Sequence, residues 1–427
     1  MKKYEYPELG EVLYKERLKN GLTVAVVPRP GFSKKLAYFV TDYGSIHTDF
    51  LLDSQEHHVP AGIAHFLEHK MFDLPGDRDV SGELASLGAG TNAFTSYDMT
   101  AYYISCTENF EESLRLLIEF VSTPYFTDES VAKEVGIIDQ EIGMNLDSSD
   151  SRVFDNLAAS LYQQHLIRVP ILGTSDTIRE ITPQMLYDCH RAFYTPGNMI
   201  LCVVGDVDPD RIAEIALEML GSEEQSVGEK MRPWQEPMEA AGNDPIEQME
   251  VAMPTFQLGF KCEPAGMGEA AIRQEVIGDL AAEALFGESS ETYLKLYEDG
   301  LIDSSFGGGF ETLDGMAMLL CSGDSDDAPA VRDALLERAV QIAREGIPNQ
   351  DFLRMKRSAL GRRIRDLDSF NSTCFRLCAY HFCDFDYFRF PAVYQNVTVE
   401  EIQEFLGRVV DASRCCLSII EPNQEDI

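Results

Sequence analysis

The stretch Gly62-Ile63-Ala64-His65-Phe66-Leu67-Glu68-His69-Lys70-Met71-Phe72 constrains this chain more than any other. Apolar residues at Ile63, Phe66, Leu67 and Met71 fall at helical spacing and predict a helix with one buried face. On such a helix His65 and His69 lie one turn apart, about 6 Å along the axis, with their side chains on the same side. Two imidazoles so placed can hold one divalent ion, and Glu68 stands beside the pair, within reach of a water on that ion. With 8 His and 72 Asp+Glu in 427 residues, composition alone yields about 0.03 such matches. The competing reading is a surface helix with two solvated histidines.

The order His-x-x-Glu-His is the inverse of the more familiar zinc-peptidase motif. A catalytic zinc site takes three protein ligands and keeps a fourth position open, so one His, Asp or Glu must come from elsewhere. Glu129 to Leu146 reads as a helix, and within it Glu134 and Glu141 lie seven residues apart, two turns along one face. Acids at that spacing are usually a solvated stripe. Here they are also the best candidates for the anionic ligand. Between the two helices, Asn92 to Ser96 and Met99 to Ser105 read as extended. A strand edge beside a metal would suit a peptide bound by strand addition; a plain hairpin is the simpler alternative.

At 427 residues the chain is long for one core. The second half repeats the order of elements of the first. Ala284-Leu285-Phe286 at the end of one helix echoes Lys70-Met71-Phe72, and Thr398 opens a helix leading to the strand Cys416 to Ile420 as Thr182 leads to Met199. Phe72 and Phe286 stand 214 positions apart, Thr182 and Thr398 216. The expectation is an α+β chain of two structurally homologous domains, each a mostly antiparallel sheet with helices packed on it. Residues 1–222 would form the first, 249–427 the second, and 223–248, rich in Glu, Pro and Gly and holding the lone Trp234, a linker. In register, Asp279, Ala282 and Glu283 stand where His65, Glu68 and His69 stand, so the second copy would lack the metal set. Gly307-Gly308-Gly309 lacks the Lys and Ser/Thr of a phosphate loop and reads as strand backbone.

The formal net charge of −37 argues against nucleic acid and anionic lipid as partners. Simple solubility accounts for it; an acidic chamber for basic peptides is the functional alternative. No apolar run is long enough to span a bilayer, and the start Met1-Lys2-Lys3-Tyr4-Glu5-Tyr6-Pro7 lacks a signal-peptide core, so the expected location is the cytoplasm. The ten cysteines fit reduced, mostly buried thiols. Cys374, Cys378 and Cys383 cluster near His381, but at no standard zinc spacing, and read as helix thiols. His57 and His58 fall in a polar loop, Asp53 to His58, and read as solvated.

Taken together, His65-Phe66-Leu67-Glu68-His69, Asn92-Ala93-Phe94-Thr95 with Thr100 and Tyr102, and Glu134-x6-Glu141 resemble the pitrilysin–insulinase–mitochondrial processing peptidase family of inverzincins, in particular its YmfH-like bacterial branch. The resemblance covers essentially the whole chain. It implies a zinc endopeptidase acting on peptides inside a clam-like chamber. It also implies that His65, His69 and Glu141 bind Zn2+, that Glu68 is the general base, that Glu134 supports the site from behind the ligands, and that Asn92, Ala93 and Phe94 pair with substrate backbone. Family members active as homodimers carry an Arg and a Tyr in the second domain; Glu291 and Asp303 take those places here. The implied active form is therefore a heterodimer whose homologous partner supplies the Arg–Tyr pair. A non-catalytic assembly subunit, or a peptide-binding module of the same fold, is the alternative.

Overall fold

A computed structural model describes residues 1–76, 78–232 and 235–423. They form two compact units that do not follow a single cut in the sequence. The first comprises Met1–Ile142, Pro170–Pro233 and Ile364–Phe388; the second comprises Gly143–Val169, Trp234–Arg363 and Arg389–Ile427.

The first unit is built on a seven-stranded sheet in the order Lys2–Tyr6, Glu11–Arg17, Thr23–Pro28, Met199–Gly205, Lys35–Thr41, Thr100–Cys106, Gly90–Thr95. Every pairing is antiparallel except that of Met199–Gly205 with Thr23–Pro28. The two central strands, VVP-rich and MILCVV-rich, are buried almost throughout, as near-continuous apolar runs require when both faces are covered. The sheet of the second unit has the order Ile246–Met249, Cys415–Pro422, Thr255–Cys262, Met316–Asp324, Gly307–Leu313. Its first pair is parallel and the rest antiparallel. That is the same succession as the last five strands of the first sheet, parallel pair included. The duplication inferred from two short echoes therefore extends through the strand order.

The interleaving of the units has a local cause. Helix Ser149–Leu161, from the first half of the sequence, packs on strands Thr255–Cys262 and Cys415–Pro422 of the second sheet. Helix Phe370–Phe382, from the second half, packs on Met199–Gly205 and Lys35–Thr41 of the first. Each sheet buries one face under a helix borrowed from the other half, so a boundary drawn by sequence position alone misassigns both helices. The segment 223–248 is not a bare linker either. Glu229–Lys230 pairs with Phe50 and Leu51, and Ile246–Met249 is the edge strand of the second sheet. Pro233 and Trp234, within the same stretch, lie outside the described residues.

The stretch 53–58 also differs from its expectation. Asp49–Leu52 and Gln55–His58 form a hairpin, closed by Asp53 and Ser54 at φ 51° and 65°. Two successive left-handed residues match the twist of the flanking strands, and a short polar side chain tolerates that conformation. His57 consequently stacks on Phe50, with ring centroids 5.1 Å apart, and is half-buried; His58 is exposed and pairs with Asp49 at 2.7 Å.

In the second unit, helix Glu269–Phe286 crosses strand Gly307–Leu313 so closely that a Cβ on Gly278 would lie 2.1 Å from the Phe310 ring. Glycine is what allows that contact. Along this helix Glu283 meets Arg362 at 3.1 Å, and the buried Arg363 meets Glu275 at 2.8 Å and Asp279 at 3.7 Å. Carboxylates and guanidinium groups thus stand where the first half carries its two histidines.

Candidate metal centre

The motif helix runs from Ile63 to Lys70. Gly62 precedes it at φ +94°, and a Cβ there would lie 2.5 Å from the Leu172 carbonyl oxygen, so only glycine admits the turn into the helix. The helix is more deeply set than a one-faced amphipathic pattern predicts. Ile63, Ala64, His65, Phe66, Leu67, Glu68 and Lys70 are all buried. A helix buried on most sides places His65 and Glu68 inside the unit, so the reading of two solvated histidines does not hold for His65.

The nineteen-residue helix Asp128–Leu146 brings up both glutamates. Glu141 approaches His65 Nε2 through Oε1 and His69 Nε2 through Oε2, each at 3.7 Å. Among the described residues, His65, His69 and Glu141 are the one group of three or more His, Cys, Asp and Glu side chains placed to share an ion, with one donor atom from each lying within 4.8 Å of the others. A separation of 3.7 Å is too long for a hydrogen bond. It is close to the roughly 3.3 Å between adjacent ligands of a tetrahedral ion whose bonds are about 2.0–2.1 Å. The donor chemistry, two imidazole nitrogens and a carboxylate oxygen, is that of a His2Glu zinc site. The residues present therefore fit the ion.

Glu134 does something different. Its Oε1 lies 2.9 Å from His69 Nδ1. An ionised carboxylate only accepts, so Nδ1 carries a proton, and Nε2, turned toward Glu141, is the nitrogen available to a metal ion. Its Oε2 faces the Lys70 ammonium at 3.7 Å. Both Glu134 oxygens are thus engaged, and the two glutamates are not interchangeable. Lys70 is 2 % exposed; it also contacts Asp73 and donates to the Ser130 carbonyl at 3.5 Å. Sequence reasoning passed over it, although a lysine inside an apolar helix beside a histidine is a visible anomaly.

Electrostatics follow the same layout. Burial, reinforced by neighbouring His69, lowers the His65 pKa to about 4 and keeps its ring neutral, the form that ligates. The bond to Glu134 raises His69, against the opposing effect of burial. Burial pushes Glu134 up, but His69, Lys70 and Lys133 outweigh it and hold the carboxyl below its usual range. Burial raises Glu68, countered in part by a hydrogen bond from Thr95. That bond, Thr95 Oγ1 to Glu68 Oε2, is 2.6 Å long.

Thr95 ends the strand Gly90–Thr95, which is terminal in its sheet, so its outer backbone edge has no neighbouring strand among the described residues. Asn92 and Ala93 border a cavity of about 310 Å3 with Glu68, His69, Phe72 and Ser81. The Asn92 side chain accepts the Ala93 N–H at 2.9 Å. Phe94 lies against Phe375, with ring centroids 6.0 Å apart. Tyr102, on the next strand, is buried and shares a 2.9 Å hydrogen bond with the Tyr194 hydroxyl. Of the cysteines near His381, Cys374 and Cys378 are buried and Cys383 is half-buried.

Residues 54–175 match the family model described as insulinase (peptidase family M16), and residues 180–359 the model described as the peptidase M16 inactive domain. A Bacillus subtilis (strain 168) chain named as the zinc protease YmfH is 36% identical over 427 residues, covering 99% of each chain. The beta subunit of the mitochondrial-processing peptidase of Bos taurus is 27% identical over 267 residues, 62% of this chain and 51% of that one. The crystal structure of an M16-like chain from Alicyclobacillus acidocaldarius superposes with a TM-score of 0.93 at 31% identity, over 98% of this chain and 100% of that one.

Proposed function

The chain belongs to the insulinase family of peptidases, M16, and from that premise we propose that it is the zinc-bearing subunit of an endopeptidase. The observation that carries this reading is the convergence of His65, His69 and Glu141, with Glu68 held beside them. His65 Nε2, His69 Nε2 and a Glu141 oxygen would hold Zn2+. When bound, the ion supplies Lewis acidity to the scissile carbonyl and to the attacking water. Glu68 removes a proton from that water and passes it to the leaving amine. Glu134 fixes the His69 ring, and the edge at Asn92, Ala93 and Phe94 accepts the substrate backbone as an added strand, the Asn92 side chain yielding Ala93 N–H to it.

The substrate is a peptide or a small unfolded polypeptide, and the chamber is completed by a homologous subunit that brings the Arg–Tyr pair. Two observations support a partner. Glu291 begins helix Glu291–Glu298 and pairs with Arg338 at 3.0 Å, and Asp303 accepts hydrogen bonds from Ser305, so neither offers the missing cation or phenol. Among the described residues no helix is long and apolar enough to cross a membrane, which is compatible with the cytoplasmic location we propose.

The test is Glu68→Gln with metal analysis. Zinc retained at one per chain with peptide turnover reduced by at least 100-fold supports the reading. Unchanged biological activity in that variant would point to the binding-module alternative. Purification from the native cell through a tag on this chain, followed by mass spectrometry, should recover a homologous second chain; full peptidase activity of the isolated chain would contradict the heterodimer.

A further inference from the structure

Glu68 sits on a short helix, and nothing on that helix holds its carboxylate. The group that does hold it comes from the neighbouring strand: Thr95 Oγ1 donates to Glu68 Oε2 at 2.6 Å. Among the described residues Oε1 has no hydrogen-bond partner, and it is not among the buried unsatisfied atoms, so it is the oxygen left open to solvent. Thr95 is itself fixed. It is the last residue of Gly90–Thr95 and lies directly opposite Thr100 in the ladder. Thr100 Oγ1 is 3.5 Å from the Thr95 hydroxyl and donates to the Tyr43 carbonyl at 2.8 Å. The strand bordering the cavity therefore also governs the acid beside the histidines.

We infer that Thr95 is a positioning residue for Glu68: its hydroxyl occupies Oε2, leaves Oε1 as the oxygen that exchanges the proton, and ties the alignment of the carboxylate to the strand that carries Asn92, Ala93 and Phe94. This rests on the peptidase reading above and deepens it. An unrestrained glutamate on the same helix samples several side-chain torsions, only some of which face the cavity. A hydrogen bond to one oxygen selects among them while leaving the other oxygen unoccupied. Because the restraint comes from an edge strand, a peptide added to that edge would stiffen the strand and the acid together.

The test compares Thr95→Val, which keeps the branched shape and removes the hydroxyl, with Thr95→Ser, which restores it. The assay uses the zinc-loaded complex purified from its own cell, with Glu68→Gln as reference. Thr95→Val should keep one zinc per chain and a KM within about twofold, and lose roughly 10–100-fold in kcat. Thr95→Ser should recover most of that loss. A Thr95→Val enzyme within twofold of wild type in kcat overturns the proposal, as does a Ser variant no better than Val, or a loss of kcat matched by an equal loss of zinc. Wild type no more active than Glu68→Gln would sink the peptidase reading itself. In that event the crystal structure of the Thr95→Val protein decides this one: a Glu68 carboxylate that relaxes or splits into alternate positions supports positioning by Thr95, and an unmoved carboxylate contradicts it.

Discussion

The Glu134 carboxylate lies 2.9 Å from His69 Nδ1, while Glu141 faces His69 Nε2 at 3.7 Å. One ring is therefore gripped from behind by an acid that accepts its proton and approached in front by an acid that does not hydrogen-bond to it. Under the proposed function, this division separates a residue that would orient a ligand from a residue that would be one.

Glu134→Gln tests the division. The amide oxygen can still accept from Nδ1–H, but the pairing of a full negative charge with Lys70 and with the histidine is lost. Zinc affinity, measured by competition with a chelator, should fall about 10–100-fold. Glu141→Gln should fall further, because it removes a ligand. Equal and small effects from both substitutions would contradict the assignment.

His190, far from the metal set in sequence, is buried with its Nε2 3.2 Å from the Val121 carbonyl, and burial pushes its pKa down to about 4. Its folded value lies below the ordinary value of about 6.5, so the unfolded chain binds the proton first on acidification. Full stability is present above pH 6.5 and is lost progressively as the pH falls toward 4, by up to about 1.4 kcal/mol per pH unit for this group. His190→Gln, whose amide can still donate to Val121, should flatten the dependence of denaturation midpoint on pH across that window. A variant as steep as wild type between pH 6.5 and 4.5 would show that His190 does not contribute.

In the second unit Arg363 is 7 % exposed and its partner Glu275 12 %, at 2.8 Å. Arg363→Met leaves Glu275 and Asp279 without that guanidinium. The expected cost is about 3–5 kcal/mol in urea denaturation, with Glu275→Leu in the same chain restoring part of it. Zinc content should not change. A cost below about 1 kcal/mol would mean that the pair is better solvated than its burial indicates.

Much of this was legible in the residues, for identifiable reasons. The motif helix, the glutamate helix and the hairpin at Gly90–Cys106 each carry a strong local period or turn signal, and their bounds agree with the structure to within a few residues. Thr182 and Thr398 announce their helices by accepting from Met185 N and Glu401 N. Helices Ser149–Leu161 and Phe370–Phe382 were harder to assign because their apolar faces pack against strands from the other half of the sequence, information that no local window contains. The hairpin at 49–58 was hidden because its turn is Asp53-Ser54, without the glycine that usually marks two left-handed residues. The contacts of Thr95 and Lys70 are not legible in the sequence because they depend on which atoms the side chains meet across the unit, Glu68 Oε2 and Glu134 Oε2, and not on spacing along the chain.

The most direct test is anomalous diffraction at the zinc absorption edge from crystals of the zinc-loaded protein. The account predicts one strong peak bonded to His65 Nε2, His69 Nε2 and a Glu141 oxygen, with Glu134 still on His69 Nδ1. A peak coordinated by Glu134 in place of Glu141, or no peak between the two imidazoles, would contradict it.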